Sequence, residues 1–173
     1  MQLTDHRDIA ADPATVWAGI LNPEVLKACV PGCESMTGTP EEGFEAVVVQ
    51  KVGPVNARFT GAVKLSDMVP GKSVNITGEG KGGPAGFAKG GARVELAPEG
   101  NGTRLTYTVE ANVGGKIAQL GSRIIDGFAK KMADQFFENF KAALEPAEAV
   151  VAEAAVADGE APKKGWFKRL VGG

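Results

Sequence analysis

The chain has little of what enzymes use for chemistry. Its 173 residues include one histidine, His6, one tyrosine, Tyr107, and two cysteines, Cys29 and Cys33. A lone histidine gives no support for a Ser-His-Asp or Cys-His arrangement. General acid–base or nucleophilic work needs a positioned titratable group. Two thiols cannot staple a chain of this size, and they fall short of the ligand set of zinc or an iron–sulfur cluster. No apolar run approaches the roughly 18–20 residues of a membrane-spanning helix. The opening Met-Gln-Leu-Thr-Asp-His-Arg-Asp lacks the charged-then-apolar layout of a secretory signal, so the expected location is cytoplasmic. A net charge of −2 offers no basis for nucleic-acid binding.

Hydrophobic residues make up 43% of the chain, enough for a core. The charge is unevenly placed. Five acids (Glu145, Glu148, Glu153, Asp158, Glu160) fall within 145–161 without a base. Lys163, Lys164, Lys168 and Arg169 fall within 162–173 without an acid, which leaves 1–144 close to neutral. Three segments are therefore expected: a folded domain over 1–144, an acidic Ala/Glu-rich spacer over 145–161, and a basic-aromatic tail over 162–173. The spacer reads as a mobile linker or a frayed helix.

Within the domain, residues 2–11 alternate as a strand. Asp12-Pro13 is a helix start, with Val16, Trp17, Ile20 and Leu21 at helical spacing. Asn22-Pro23 interrupts, a second short helix follows, and Pro31-Gly32 ends it. From 34 to 113 the pattern is period two, cut by turn signals at Glu42-Gly43, Gly53-Pro54, Pro70-Gly71 and Pro98–Gly102 into about six antiparallel strands. Gly114-Gly115 then opens a long helical stripe of Ile117, Leu120, Ile124, Phe128, Met132, Phe136, Phe140 and Leu144. Only the sheet offers a surface to bury it. The predicted class is α+β: a curved antiparallel sheet gripping a long C-terminal helix, with two short helices after the first strand.

Two motifs invite chemistry and lack its context. Cys29-Val30-Pro31-Gly32-Cys33 has three intervening residues where redox pairs have two, and it suits a tight turn. Gly78-Glu79-Gly80-Lys81-Gly82-Gly83 matches the dinucleotide spacing, but a strand-like segment follows where a helix is required. Glycine inside strands more often marks a bulge or a close approach. With Gly61, Gly78, Gly80 and Gly86 placed in the sheet, its inner face is expected to be hollow. The residues assigned to that hollow are Phe59, Val63, Ile76, Phe87, Leu105, Tyr107 and Val109 from the sheet, and Leu120, Ile124 and Phe128 from the helix. An apolar pocket of this kind suits binding a hydrophobic small molecule better than transforming one. A fully packed core is the competing reading. Tyr107 and His6 are the only groups that a small cyclase-type enzyme could use.

Trp17, Leu26, Val30-Pro31-Gly32-Cys33, Gly53-Pro54, Gly102-Thr103-Arg104-Leu105-Thr106-Tyr107 and Gly114–Arg123 occur in an order that resembles the carbon monoxide dehydrogenase G-subunit family. That family lies in the helix-grip (START/Bet v 1-like, polyketide cyclase) superfamily. The resemblance implies a non-catalytic accessory protein of a molybdenum-containing carbon monoxide dehydrogenase or related hydroxylase. It implies recruitment to the cytoplasmic membrane and a quinone or isoprenoid lipid as ligand, with no covalently bound cofactor. A stand-alone lipid carrier is the alternative. In the tail, Trp166, Phe167, Leu170 and Val171 would share an arc of about 140° on a helix, with Lys168 and Arg169 outside it. Lys163, Lys164, Trp166, Phe167, Lys168, Arg169 and Leu170 are thus the expected contacts to an anionic membrane surface. A solubilising terminus or a peptide that docks on a protein would carry the same residues.

Overall fold

A computed structural model describes residues 1–145 of the chain. The elements are β1 (Gln2–Ile9), α1 (Pro13–Ile20), α2 (Pro23–Cys29), β2 (Cys33–Thr39), β3 (Gly43–Val52), β4 (Val55–Val69), β5 (Ser73–Lys81), β6 (Phe87–Glu99), β7 (Gly102–Gly114) and α3 (Ser122–Leu144). The seven strands form one antiparallel sheet in the order β1-β7-β6-β5-β4-β3-β2. Strands β2 to β7 run as a meander, and β1 closes on β7, so the helices all pack on one concave face.

Local chemistry sets the two short helices. The Asp12 carboxylate accepts from the Thr15 N–H at 2.8 Å, and the Asn22 side chain accepts from the Glu24 N–H at 2.9 Å. A proline follows each cap, where its missing N–H costs nothing. The inner face of the sheet meets the last turns of α3 in a filled core. Ile9, Val16, Val74, Leu105 and Phe140 are at most 2% exposed there.

The long helix departs from expectation at its start. Residues Gly115–Leu120 form a 3-10 segment, Gly121 turns the chain at φ +92°, and the α-helix begins only at Ser122. A conformation with φ near +90° and ψ near 160° is essentially open to glycine alone. The turn resets the helical phase, so a 3.6-residue stripe drawn through it fails. Ile117 is buried on the 3-10 segment, while Ile124 is 41% exposed and Ile125 turns inward in its place. Gly86 likewise lies outside the sheet, at the end of a 3-10 turn (Gly83–Ala85) between β5 and β6.

Candidate functional site

Along the concave face of the sheet lies an apolar hollow of three adjoining compartments, about 410, 310 and 220 Å³ in volume. The largest is lined by the strands and Val30, the second is covered by Ile125, Phe128 and Met132 from the first half of α3, and the smallest by Phe136, Phe137 and Phe140 from its second half. The largest and the second share walls at Val48, Phe59, Gly80 and Ala88. The largest and the smallest share Met36, Val63 and Ile76. Val30 borders all three.

The hollow exists because side chains are missing where strands β4, β5 and β6 pair. Gly61 faces Gly80, and Gly78 faces Gly90 across the ladder. A Cβ on Gly80 would meet nothing nearer than Phe59 Cβ at 3.9 Å, and one on Gly78 nothing nearer than Val63 Cγ2 at 3.4 Å. Those are ordinary contact distances, so the backbone does not demand glycine at either place. Small residues there leave space, and the helix above does not collapse into it.

Val30 is held in the wall by the turn after α2. Gly32 sits at φ +78°, its carbonyl accepts from the Val49 N–H at 2.9 Å, and the Gln50 amide donates to the Pro31 carbonyl. A Cβ on Gly32 would fall 2.1 Å from the Val49 carbonyl oxygen. The turn thus fastens α2 to β3. Burial pushes the pKa of Cys29 upward, and burial does the same for Cys33, which disfavours the thiolate of each. The Cys33 thiol donates to the Ser35 carbonyl at 3.2 Å.

Of the residues expected to surround a ligand, Phe59, Val63, Ile76, Leu105, Val109 and Phe128 stand at these walls. Four do not. Phe87 alternates with the inward-facing Ala88, so it lies on the outer face, 41% exposed. Leu120 and Ile124 rest instead on the β3–β4 turn, with atoms of both 3.6 Å from where a Cβ on Gly53 would be. Tyr107 faces inward but is packed into the filled core, its ring stacked on Phe137 at 5.0 Å. Its hydroxyl accepts from Arg7 Nη2 at 3.1 Å, and the same guanidinium donates to Asp134 at 2.7 Å. His6 is exposed on the outer side of β1. The two groups named for catalysis are therefore apart from the hollow and from each other. Pattern reading missed Val30, Val113, Ile117 and Ile125. The alternation of β7 could have supplied Val113, whereas the other three depend on turns.

Chemistry within the hollow is sparse. Glu79, Lys89 and Glu110 border the largest compartment from exposed positions, and Gln50 supplies the one side-chain amide on the walls of the second. Among the described residues no cluster of three His, Cys, Asp or Glu could hold a metal ion. No described helix is long and apolar enough to cross a membrane. The Gly78–Gly83 motif runs along β5 into the next turn and is followed by β6, so no helix N-terminus waits for a pyrophosphate.

A family model for the G subunit of carbon monoxide dehydrogenase (CoxG) matches residues 6–145. The chain belongs to that family. Among solved structures, a conserved protein from Geobacillus kaustophilus is 27% identical and superimposes with a TM-score of 0.78, covering 83% of this chain and 95% of its own. A protein from Chromobacterium violaceum is 17% identical with a TM-score of 0.65, covering 84% and 99%. Ara h 8.0201 is 11% identical with a TM-score of 0.58, covering 83% and 97%. The last two show the fold alone, a helix-grip sheet of the Bet v 1 kind. No curated protein matches the sequence. Membership of the CoxG family identifies an accessory protein associated with carbon monoxide dehydrogenase.

Proposed function

We propose that this CoxG-family chain houses a hydrophobic small molecule, a quinone or isoprenoid lipid, beneath α3. In the same reading it brings a carbon monoxide dehydrogenase or related molybdenum hydroxylase to the cytoplasmic membrane, itself remaining peripheral. The observation that supports this most is the apolar hollow left by the facing glycines of β4, β5 and β6. Its largest compartment, about 410 Å³, lies within the range of small-molecule sites. The walls suit an isoprenoid chain, which asks for no hydrogen bonds. A quinone carbonyl would find the Gln50 amide, whose nitrogen already donates once, to Pro31. Redox chemistry belongs to the partner, and this chain supplies shelter and address.

The membrane contact is assigned to 162–173, which lies outside the described residues, as do Lys163, Lys164, Trp166, Phe167, Lys168, Arg169 and Leu170. Basic residues near an anionic surface contribute about 1 kcal/mol each, and the aromatic pair adds apolar insertion. Native mass spectrometry of gently purified full-length protein tests the cargo: an adduct of isoprenoid mass is expected, and consistently bare protein overturns the carrier reading. Co-sedimentation of the full chain and of residues 1–161 with anionic vesicles tests the tail. Equal sedimentation of the two would remove its role.

A further inference from the structure

The turns of an antiparallel meander alternate between two ends, and here the two ends differ in charge. At one end lie the β3–β4 turn, the β5–β6 turn and the 3-10 segment leading into α3. They carry Lys51, Lys81, Lys116 and Arg123, all exposed, and none has an ion-pair partner among the described residues. Asp126, one helical turn further along α3, is the nearest carboxylate in sequence to Arg123. The other end carries Glu41, Glu42, Asp67 and Glu99 in or beside its turns, with Lys72.

Exposed apolar side chains occur at both ends, Met68 and Val69 beside the acidic turns and Ile124 at the basic end. Only at the basic end do they stand beside several bases without an ion-pair partner among the described residues. Ile124 is 41% exposed above the Gly53 turn, with Leu120 beside it and Pro54 exposed at the turn itself. Directly beneath, Val52, Ile117 and Ile125 wall the 310 Å³ compartment. Exposed apolar side chains within a ring of unpaired bases combine the two attractions that hold a protein in a lipid interface.

We infer that this end of the domain is itself a membrane-docking surface for anionic phospholipid, separate from the 162–173 segment. Leu120 and Ile124 enter the headgroup layer, and Lys51, Lys81, Lys116 and Arg123 meet the phosphates. The acidic end points to water. In that pose only the wall of Val52, Ile117 and Ile125 separates the 310 Å³ compartment from the bilayer, so an apolar molecule that passes this wall moves between lipid and protein without crossing water. The inference rests on the carrier reading for its use, but not for its geometry.

Nitroxide labels test it on the full chain in a Cys33→Ser background, with Ile124→Cys at the basic end and Glu41→Cys at the acidic end. The probe is vesicles of one part phosphatidylglycerol to two of phosphatidylcholine. The label at 124 is expected to become accessible to oxygen and shielded from a water-soluble relaxant, while the label at 41 stays in water. If both labels stay in water while the protein still sediments with vesicles, the docking face is overturned and attachment by the tail stands. If the full chain does not sediment at all, both ideas fall. As a second measurement, Lys81→Glu/Lys116→Glu/Arg123→Glu should weaken vesicle affinity at least about tenfold, since each nearby base counts for roughly fivefold. These residues are exposed, so thermal stability should hold. Unchanged vesicle affinity in that variant would mean that the basic rim faces an acidic protein, and would overturn the lipid assignment.

Discussion

Where the C-terminal half of α3 crosses β1, β6 and β7, the space between helix and sheet is mostly filled, with only the smallest compartment, about 220 Å³, left beside Phe136, Phe137 and Phe140. Where its N-terminal half crosses β3, β4 and β5, the same two layers leave a hollow. In the filled half Tyr107 stacks on Phe137, and Phe136 lies over Phe140 at 5.4 Å between centroids. In the hollow half the inward positions include Gly61, Gly78, Gly80, Ala88 and Gly90. The contrast follows side-chain volume: large rings point inward in one half, and glycine and alanine do so in the other. One half supplies the stability that lets the other stay unfilled.

That division can be broken most forcefully at Phe140, which is fully buried. Phe140→Ala should cost about 3–5 kcal/mol in urea unfolding. Phe128→Ala, on the wall of the hollow and only partly buried, should cost less than half of that. Equal losses would mean that the two halves are packed alike. Gly32→Ala comes next. A left-handed conformation costs a non-glycine residue about 1–2 kcal/mol, and the added methyl also meets the Val49 carbonyl. The melting temperature should fall, and Val30 should shift in the wall. An unshifted Val30 methyl resonance would separate the turn from the hollow.

Filling the hollow is the converse experiment. Gly80→Leu points a side chain into open space, with only Phe59 Cβ near its own Cβ at 3.9 Å. Binding of an apolar fluorescent probe such as N-phenyl-1-naphthylamine should weaken about tenfold or more, a change of roughly 1.4 kcal/mol, with the urea midpoint nearly unmoved. If probe affinity is kept, the probe sits elsewhere and the hollow loses its claim.

How far the sequence announces these two halves follows from the kind of signal each depends on. Period-two alternation and turn residues make the strands of 34–113 legible, and Asp12-Pro13 and Asn22-Pro23 mark the short helices through cap chemistry that is local. Phe59, Val63, Ile76 and Val109 follow from alternation alone. Leu120 and Ile124 are misplaced because Gly121 breaks the phase between two kinds of helix, which periodicity cannot register. Phe87 is misplaced because the strand begins one residue after a glycine turn, and its parity depends on pairing with Lys81 and Gly114. Val30 belongs to no period at all; a long-range bond from Val49 to Gly32 puts it in the wall. The charge asymmetry of the two ends is written in the sequence, but it becomes a surface only when the meander sorts alternate turns to opposite ends.

The smallest expected effect concerns the border between the halves, where Arg7 reaches across from β1 to Asp134 on α3. The hydrogen bond from Arg7 holds the Asp134 carboxyl below the ordinary carboxylate range. In the unfolded chain this group titrates near about 3.9. Above that pH it is charged in both states and its contribution to stability is fully present; the contribution is lost as pH falls through the lower folded value. Asp134→Asn should therefore lower the urea midpoint slightly at pH 6, and the gap to the native protein should close as the pH drops below about 4. Asp8 and Asp12, also held low by Arg104 and by Thr15 respectively, keep an acid limb in both proteins. A gap that persists unchanged into acid would mean that Asp134 acts by contact, not by charge. Probe binding should be the same in both proteins, since the clamp lies on the filled side. If Asp134→Asn instead alters probe affinity while stability holds, the filled half does more than support: it sets how far α3 stands from the sheet over the hollow.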